Sequence, residues 1–279
     1  MTEDCVLLPG VFNGITAKAA HRAGAKGLYI TGAGVTNATL GVPDVALVTL
    51  TEMAAVATNV CQIAPVPVIS DADTGFGETM NVSRTVIEME RAGLAGIHLE
   101  DQVSPKRCGH LDGKAVISAR EMAMKVLAAV ESKRDSSFMI IARTDAYGVE
   151  GLEAAIERAK RYEAAGADGI FPEGLTSEAE FEAFRKALKV PLLANMTEFG
   201  KTPIIPVQRF KELGYNLVIF PMTAFRVALK AVSGAYAELL ATGTQAGLLD
   251  KMRTRAELYD LIEYDAYSAR DQDWAARIE

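Results

Sequence analysis

Short runs rich in apolar and β-branched residues recur along the chain, at positions 7–8, 28–31, 66–70, 96–99, 139–142, 169–171, 191–194 and 217–220. Between most of them lie longer stretches with apolar residues at helical spacing, such as 80–92 and 151–165. Eight strands alternating with helices predict parallel βα units.

The joints from helix to strand share a signature. Arg22-Ala23-Gly24, Arg91-Ala92-Gly93, Ala164-Ala165-Gly166 and Glu212-Leu213-Gly214 each stand just before a strand. Glycine there supplies the left-handed residue that closes a helix. A doubly wound sheet would use fewer strands and a glycine-rich nucleotide turn, so the fold class expected is α/β, a (β/α)8 TIM barrel. After the eighth strand, a long helical pattern covers 224–243 and a second covers 245–276. The eight units are complete by then, so residues 244–279 are expected to form a C-terminal helical extension that packs on a neighbouring subunit. With no linker or low-complexity segment, residues 1–279 are expected to form a single domain.

Composition narrows the class. The 279 residues are 49% hydrophobic and 23% charged, the balance of an ordinary globular protein. Charges interrupt every apolar run before it reaches a membrane span, and residues 1–5 are acidic and polar, unlike the start of a signal peptide. Three cysteines (Cys5, Cys61 and Cys108) cannot all pair and fit no zinc spacing, which suits a reducing cytoplasm. A net charge of −7 with no basic stripe argues against nucleic acid. An acidic protein that binds an anion must gather its cations, and any metal, locally.

The strand ends are where a barrel keeps its chemistry. The third strand runs into Ser70-Asp71-Ala72-Asp73-Thr74-Gly75-Phe76-Gly77 and the fourth into His98-Leu99-Glu100-Asp101-Gln102. The fifth gives Arg143-Thr144-Asp145, the sixth Pro172-Glu173, and the seventh Asn195-Met196-Thr197-Glu198. Carboxylates converging from neighbouring strands repel one another unless a cation sits between them. An all-oxygen site favours Mg²⁺, with Mn²⁺ an alternative, kept partly hydrated. Asp145 and Glu198 taken singly read equally well as solvated loop acids or helix caps.

The loop after the fourth strand reads Ser104-Pro105-Lys106-Arg107-Cys108-Gly109-His110-Leu111. Two cations and a histidine beside Cys108 favour its thiolate, and the adjacent glycine gives the backbone freedom that a closing lid needs. Cys5 and Cys61, set in apolar surroundings, read as small buried hydrophobes.

Together, Asp71-Ala72-Asp73-Thr74-Gly75-Phe76-Gly77, Glu100-Asp101-Gln102, Lys106-Arg107-Cys108-Gly109-His110 and Asn195-Met196-Thr197-Glu198-Phe199-Gly200 resemble the isocitrate lyase/phosphoenolpyruvate mutase superfamily. Within it the chain is most similar to the 2-methylisocitrate lyases and the 2,3-dimethylmalate lyases. The resemblance implies a Mg²⁺- or Mn²⁺-dependent barrel enzyme that assembles as a homotetramer exchanging C-terminal helices. It gives metal-site roles to Asp71 and Asp73, with Asp44 and Glu100 in or beside the hydrated shell. Tyr29, Thr31, Gly32 and Ala33 match the segment that holds a 2-oxo acid, and Arg143 matches its arginine. Glu173, Asn195, Thr197 and Arg226 match positions lining the rest of the pocket, and Cys108 matches the proton donor. Lys106 and His110 accompany Cys108 in the catalytic set. Two departures bear on the substrate. Thr31-Gly32-Ala33 stands where the lyases commonly carry Ser-Gly-Gly, and Pro9-Gly10-Val11-Phe12-Asn13-Gly14 looks closer to the dimethylmalate lyases and mutases.

The implied reaction is cleavage of a carbon–carbon bond in a small anionic 2-hydroxy acid, such as 2-methylisocitrate, to pyruvate and a second carboxylate. Arg143, Lys106, Arg107, His110 and Arg226, with the metal, would hold the polyanion. A metal-adjacent carboxylate or Tyr29 is the candidate base, and Cys108 the general acid. Phosphonomutase chemistry and oxaloacetate decarboxylation or hydrolysis use the same scaffold without needing the thiol, and a metabolite-binding protein would keep the pocket alone.

Overall fold

The computed structural model describes residues 5–107, 109 and 113–278. Eight strands follow one another as β1 (Val6–Val11), β2 (Leu28–Ile30), β3 (Val68–Asp71), β4 (Gly96–Glu100), β5 (Met139–Thr144), β6 (Gly169–Pro172), β7 (Leu193–Asn195) and β8 (Leu217–Phe220). All pair in parallel, each with its sequence neighbour, and β1 closes onto β8 in the register Val6↔Leu217 to Pro9↔Phe220. Between β6 and β7 the ladder thins to one bridge, Ile170↔Leu192, which completes the barrel. The predicted strands are all present. The first extends through Pro9-Gly10 to Val11, because Pro9 lacks only a donor and the flanking residues still pair with β8 and β2.

Alternation along the strands sorts side chains into two cores. Leu8, Tyr29, Ile69, Ile141, Phe171, Leu193 and Ile219, one from every strand but β4, fill the barrel interior. The inward residue of β4 is His98, fully buried. Outward residues such as Leu28, Ile30, Ile97, Ile140 and Val218 pack beneath the surrounding helices. Those helices are α1 (Gly14–Arg22), α2 (Leu50–Ile63), α3 (Thr79–Arg91), α4 (Ala119–Ser132), α5 (Leu152–Ala164), α6 (Glu178–Ala187), α7 (Val207–Glu212) and α8 (Thr223–Thr242). Thr49 with Glu52 and Ser118 with Glu121 form capping boxes that start α2 and α4 on the residues following them. The four predicted joint glycines carry positive φ: Gly24 94°, Gly93 93°, Gly166 101° and Gly214 80°.

Beyond α8 the structure departs from expectation. The single helix predicted over 245–276 is three pieces: a 3₁₀ turn (Ala246–Lys251), α9 (Arg255–Leu261) and α10 (Tyr264–Ala276). Thr254 starts α9 afresh through a capping box with Glu257, and Glu263 takes a left-handed φ of 60° between α9 and α10. Apolar spacing carried across both breaks hid them. The tail returns to α1 through the ion pairs Lys18–Glu263 and Arg22–Asp260, each 2.8 Å. Among the described residues no helix is long and apolar enough to cross a membrane.

Candidate active site at the strand ends

The C-terminal ends of the strands surround a cavity. Tyr29, Thr31, Ala33, Asp44, Asp71, Lys106, Arg143, Glu173, Asn195 and Thr197 line it, ten of the residues singled out in the sequence. Gly109, Phe171, Ile219, Pro221 and Met222 complete the wall.

Local backbone explains how these groups meet. Thr31 caps the short helix Gly32–Val35 by accepting from the Gly34 N–H, which turns the chain sharply above β2. Gly32 then lies so close to Asp71 that a Cβ would stand 2.5 Å from its Oδ2. Asp73 takes a left-handed φ of 46°, and its N–H donates to Asp71 Oδ1 at 2.9 Å, so both carboxylates emerge from one turn. Gly109 presses onto the opposite wall, where a Cβ would meet Glu173 Cγ at 2.4 Å and Arg143 Nη2 at 2.7 Å.

Charge is concentrated here and almost wholly buried. Lys106 Nζ lies 2.6 Å from Asp44 Oδ1 and 2.9 Å from Asp73 Oδ1. The second contact is an ion pair rather than a directed hydrogen bond, since Asp73 Oδ1 has no hydrogen-bond partner. Arg143 donates to both oxygens of Asp145, at 2.8 and 3.2 Å. Its Nη1 lies 3.2 Å from Glu100 and 3.6 Å from Glu173, and its guanidinium sits 5.2 Å above the Phe171 ring. Lys114 reaches Asp145 at 3.1 Å and also bonds the Gly109 carbonyl. Thus Asp44, Asp71, Asp73, Glu100, Asp145 and Glu173 face Lys106, Lys114 and Arg143, leaving a formal excess of three negative charges among the described residues.

The protonation equilibria follow first from burial and then from the surrounding charges. Burial, opposed by Lys106 and reinforced by Asp71 and Asp44, pushes the Asp73 carboxyl up to about 6. Burial pushes Glu100 up well beyond the ordinary carboxylate range, against the pull of Arg143 and Lys106. Burial also pushes Asp71 upward, but His98, the Lys106 and Arg143 cations and the Asp73 N–H outweigh it, and the carboxyl stays below its usual value. With His98 itself brought down to about 4 by burial, its pull on Asp71 is that of a dipole, and the lasting cations are Lys106 and Arg143. Beneath them, the Tyr29 hydroxyl and His98 Nε2 share a 2.8 Å hydrogen bond, and burial raises the Tyr29 pKa well above 10.

These residues fit a divalent cation in their chemistry. All the donors are hard oxygens, and Asp73 Oδ1 and both Glu100 oxygens are buried without a hydrogen bond. Among the described residues, however, no three His, Cys, Asp or Glu side chains are grouped to hold an ion by themselves. Mg²⁺ tolerates that, since it commonly binds one or two carboxylates and retains water.

Behind the wall a second set of buried groups aims Arg143. Asp101 Oδ1 accepts from the Asp145 N–H at 2.9 Å, and Oδ2 accepts from Thr144 Oγ1 and Tyr162 OH, each at 2.8 Å. Asp145, which read equally as a loop acid, is therefore a fully buried partner of the arginine. Glu198 instead pairs with Arg226 at 2.7 Å. Arg226 does not line the cavity; it reaches the wall through Thr197 at 3.4 Å and lies over Phe199. Cys108 and His110 lie outside the described residues. Sequence reasoning passed over His98, although its i, i+2 spacing from Glu100 on β4 already placed both on the inner face.

Residues 1–240 match the family profile of phosphoenolpyruvate phosphomutase. The chain is 54% identical over 277 residues to a 2-methylisocitrate lyase of Aeropyrum pernix, covering 99% of this chain and 89% of that protein. Its fold matches a solved oxaloacetate acetylhydrolase in complex with 3,3-difluorooxalacetate at a TM-score of 0.94, with 38% identity and coverage of 98% and 93% of the two chains. It matches 2,3-dimethylmalate lyase at 0.92, with 36% identity and coverage of 97% and 91%. A phosphonopyruvate hydrolase in complex with oxalate and Mg²⁺ matches at 0.85, with 27% identity and coverage of 96% and 93%. The chain belongs to the phosphoenolpyruvate phosphomutase family, in the isocitrate lyase/phosphoenolpyruvate mutase superfamily that its strand-end motifs resemble.

Proposed function

We propose that the chain cleaves the C2–C3 bond of 2-methylisocitrate, or of a closely related 2-hydroxy di- or tricarboxylate, releasing pyruvate and a second carboxylate. The observation that carries this reading is a cavity lined by the buried Arg143 together with Asp44, Asp71 and Glu173, in a chain 54% identical to a 2-methylisocitrate lyase. Asp71 and Asp73 would hold a divalent cation, with Asp44 and Glu100 in or beside its hydration shell. When bound, the ion supplies Lewis acidity that makes the substrate's 2-hydroxyl easier to deprotonate. Mg²⁺ is favoured by the all-oxygen donors and by the Mg²⁺ in the related phosphonopyruvate hydrolase.

The chain's own groups then divide the work. Arg143, fixed by Asp145, receives the carboxylate of the pyruvate half, and the N–H groups and hydroxyl of Thr31-Gly32-Ala33 receive its other oxygens. The hydroxyl proton passes to a neighbouring base, either Tyr29, whose hydroxyl is held by His98 Nε2 at 2.8 Å, or a carboxylate beside the metal position. The C2–C3 electron pair leaves with the departing fragment, and the Cys108 thiol protonates the carbon that received it. Glu173, Asn195 and Thr197 line the departing fragment, while Lys106 and His110 offset its negative charge. Arg226 contributes through Thr197.

Pyruvate release from 2-methylisocitrate, 2,3-dimethylmalate, isocitrate and oxaloacetate, with and without Mg²⁺, tests the reading. Mg²⁺-dependent pyruvate from 2-methylisocitrate is the expected result. Oxaloacetate consumed with 2-methylisocitrate untouched would reassign the chain to hydrolysis, which the fold match to oxaloacetate acetylhydrolase makes the second reading. We also propose a homotetramer in which α8 packs against a neighbouring subunit. The exposed apolar side chains of α8, Val227 at 66%, Tyr236 at 62% and Leu240 at 86%, support it.

A further inference from the structure

Lys106 places its ammonium between two of the carboxylates read above as the metal site. Its ammonium contacts Asp44 and Asp73 at 2.6 and 2.9 Å, and its side chain is only 3% exposed. Asp73 Oδ1 makes no hydrogen bond although the ammonium is in contact with it, so that oxygen is held by charge alone. The same arrangement explains why no ready-made group of three acidic ligands stands among the described residues: the acids are spread around the ammonium.

We infer that Lys106 is the resident cation of the metal-free site, and that its ammonium and the divalent ion compete for Asp44 and Asp73. This rests on the reading of these acids as the metal site. A buried carboxylate left without a cation is costly, so some positive charge must stay with the cluster when no metal is bound. A dication placed among the same oxygens would lie within a few ångströms of the ammonium, where like charges in a poorly screened interior repel strongly. One of the two must withdraw. The geometry lets the lysine do so as a side-chain event. Gln102 clasps the backbone of the next residue, with its Nε2 donating to the Arg107 carbonyl at 2.8 Å and its Oε1 accepting the Arg107 N–H at 2.9 Å. The main chain beside Lys106 is thereby held while its four-carbon stem swings. Lys106 also lines the cavity, so a withdrawn ammonium remains within reach of an anionic substrate. One residue would then stabilise the empty site and, once displaced, contribute its charge to substrate binding.

The alternative is an ordinary ion pair that stays in place when the metal arrives, and the two differ in sign. Metal-stripped wild type, Lys106→Met and Lys106→Gln are titrated with Mg²⁺ and with Mn²⁺ by calorimetry, and with Mn²⁺ by electron paramagnetic resonance. Competition predicts binding about tenfold tighter, or more, in both neutral variants, because a hydrogen-bonded charge no longer has to be displaced. It also predicts a lower Tm for the metal-free variants and a larger rise in Tm on adding Mg²⁺. Affinity equal to or weaker than wild type overturns the inference, whatever happens to Tm. So does failure of both variants to fold in millimolar Mg²⁺. If neither wild type nor variants bind either ion, the metal-site reading falls and the inference with it; binding by wild type with no gain in the variants removes the inference alone.

Discussion

At the C-terminal rim of the barrel charge is buried, and on the helix after β8 apolar surface is exposed. Asp73, Glu100, Asp101 and Asp145 are each 3% exposed or less. Helix α8 runs for 20 residues without burying one of them, whereas the 13-residue α5 buries Ala155, Arg158, Ala159 and Tyr162. Both regions invert the ordinary rule of burial, in opposite senses. Buried carboxylates in excess of their cations call for positive charge, and an uncovered apolar helix calls for another apolar surface. The shared lesson is that an unmet physical requirement points to a missing partner, and its sign tells which kind. A small hard ion would answer the first, and a second copy of the chain would answer the second.

The comparison breaks most completely if the rim needs no cation. Chelation is expected to abolish turnover, and Mg²⁺ or Mn²⁺ to restore it. Turnover by a rigorously metal-free preparation would mean that Lys106, Lys114 and Arg143 alone neutralise the cluster. Asp73→Ala should lose metal binding, measured by calorimetry, while circular dichroism shows the barrel still folded.

The next largest effect is expected at Cys108. Cys108→Ala should lower kcat by about a hundredfold or more, the scale of a lost general acid. KM should change little, because in the proposed reaction Arg143 and the cation would hold the other half of the substrate. Wild-type kcat in this variant would take the thiol out of the reaction and favour the hydrolase reading. Tyr29→Phe should fall in the same range without altering Mg²⁺ affinity, since its hydroxyl bonds His98 rather than a carboxylate.

How much of this was legible in the sequence follows the range of the forces involved. Strand and helix patterns are local, so all eight strands were placed, and the four joint glycines take the left-handed backbone assigned to them. Asp71, Arg143, Glu173 and Asn195 were found because each sits at the end of a strand, a position the pattern marks. The breaks in the tail were missed because Thr254 and Glu263 interrupt the backbone without interrupting the apolar spacing. The partition of the acids was illegible for another reason. Glu100 and Asp101 are neighbours in sequence, and only the pleat sends the first to Arg143 and the second to Tyr162. The withdrawal of Arg226 to Glu198 depends on a contact between distant segments that no local pattern encodes.

On the exposed side, Tyr236→Asp combined with Leu240→Asp should shift the protein to a smaller assembly by light scattering, because two charges would have to be desolvated in any covered α8 surface. The isolated barrel should be unaffected, as neither side chain contributes to its core. An assembly of unchanged size would place the interface elsewhere, and a wild-type monomer at micromolar concentration would leave α8 without the partner proposed for it.

The smallest effect sharpens the comparison from inside the rim, at an acid that asks for no metal. Asp101 is as buried as Glu100, and burial reinforced by Asp145 pushes its carboxyl up to about 6, yet its oxygens accept three hydrogen bonds. It is satisfied where Glu100 is not, so its task is to set the backbone that carries Asp145. Asp101→Asn replaces one accepting oxygen with a donor that must face either the Asp145 N–H or the Thr144 and Tyr162 hydroxyls. Loss of hydrogen bonds of this kind costs about 1–3 kcal/mol where a buried group is left unpaired. The part of that cost transmitted to Arg143 should appear as substrate binding weakened by up to about tenfold, with kcat nearly kept. Tyr162→Phe leaves Asp101 two donors and should change binding still less. Asp101→Asn in an Asp145→Asn background should add nothing further if Asp101 acts through Asp145, and additive losses would show that it reaches the pocket by another route.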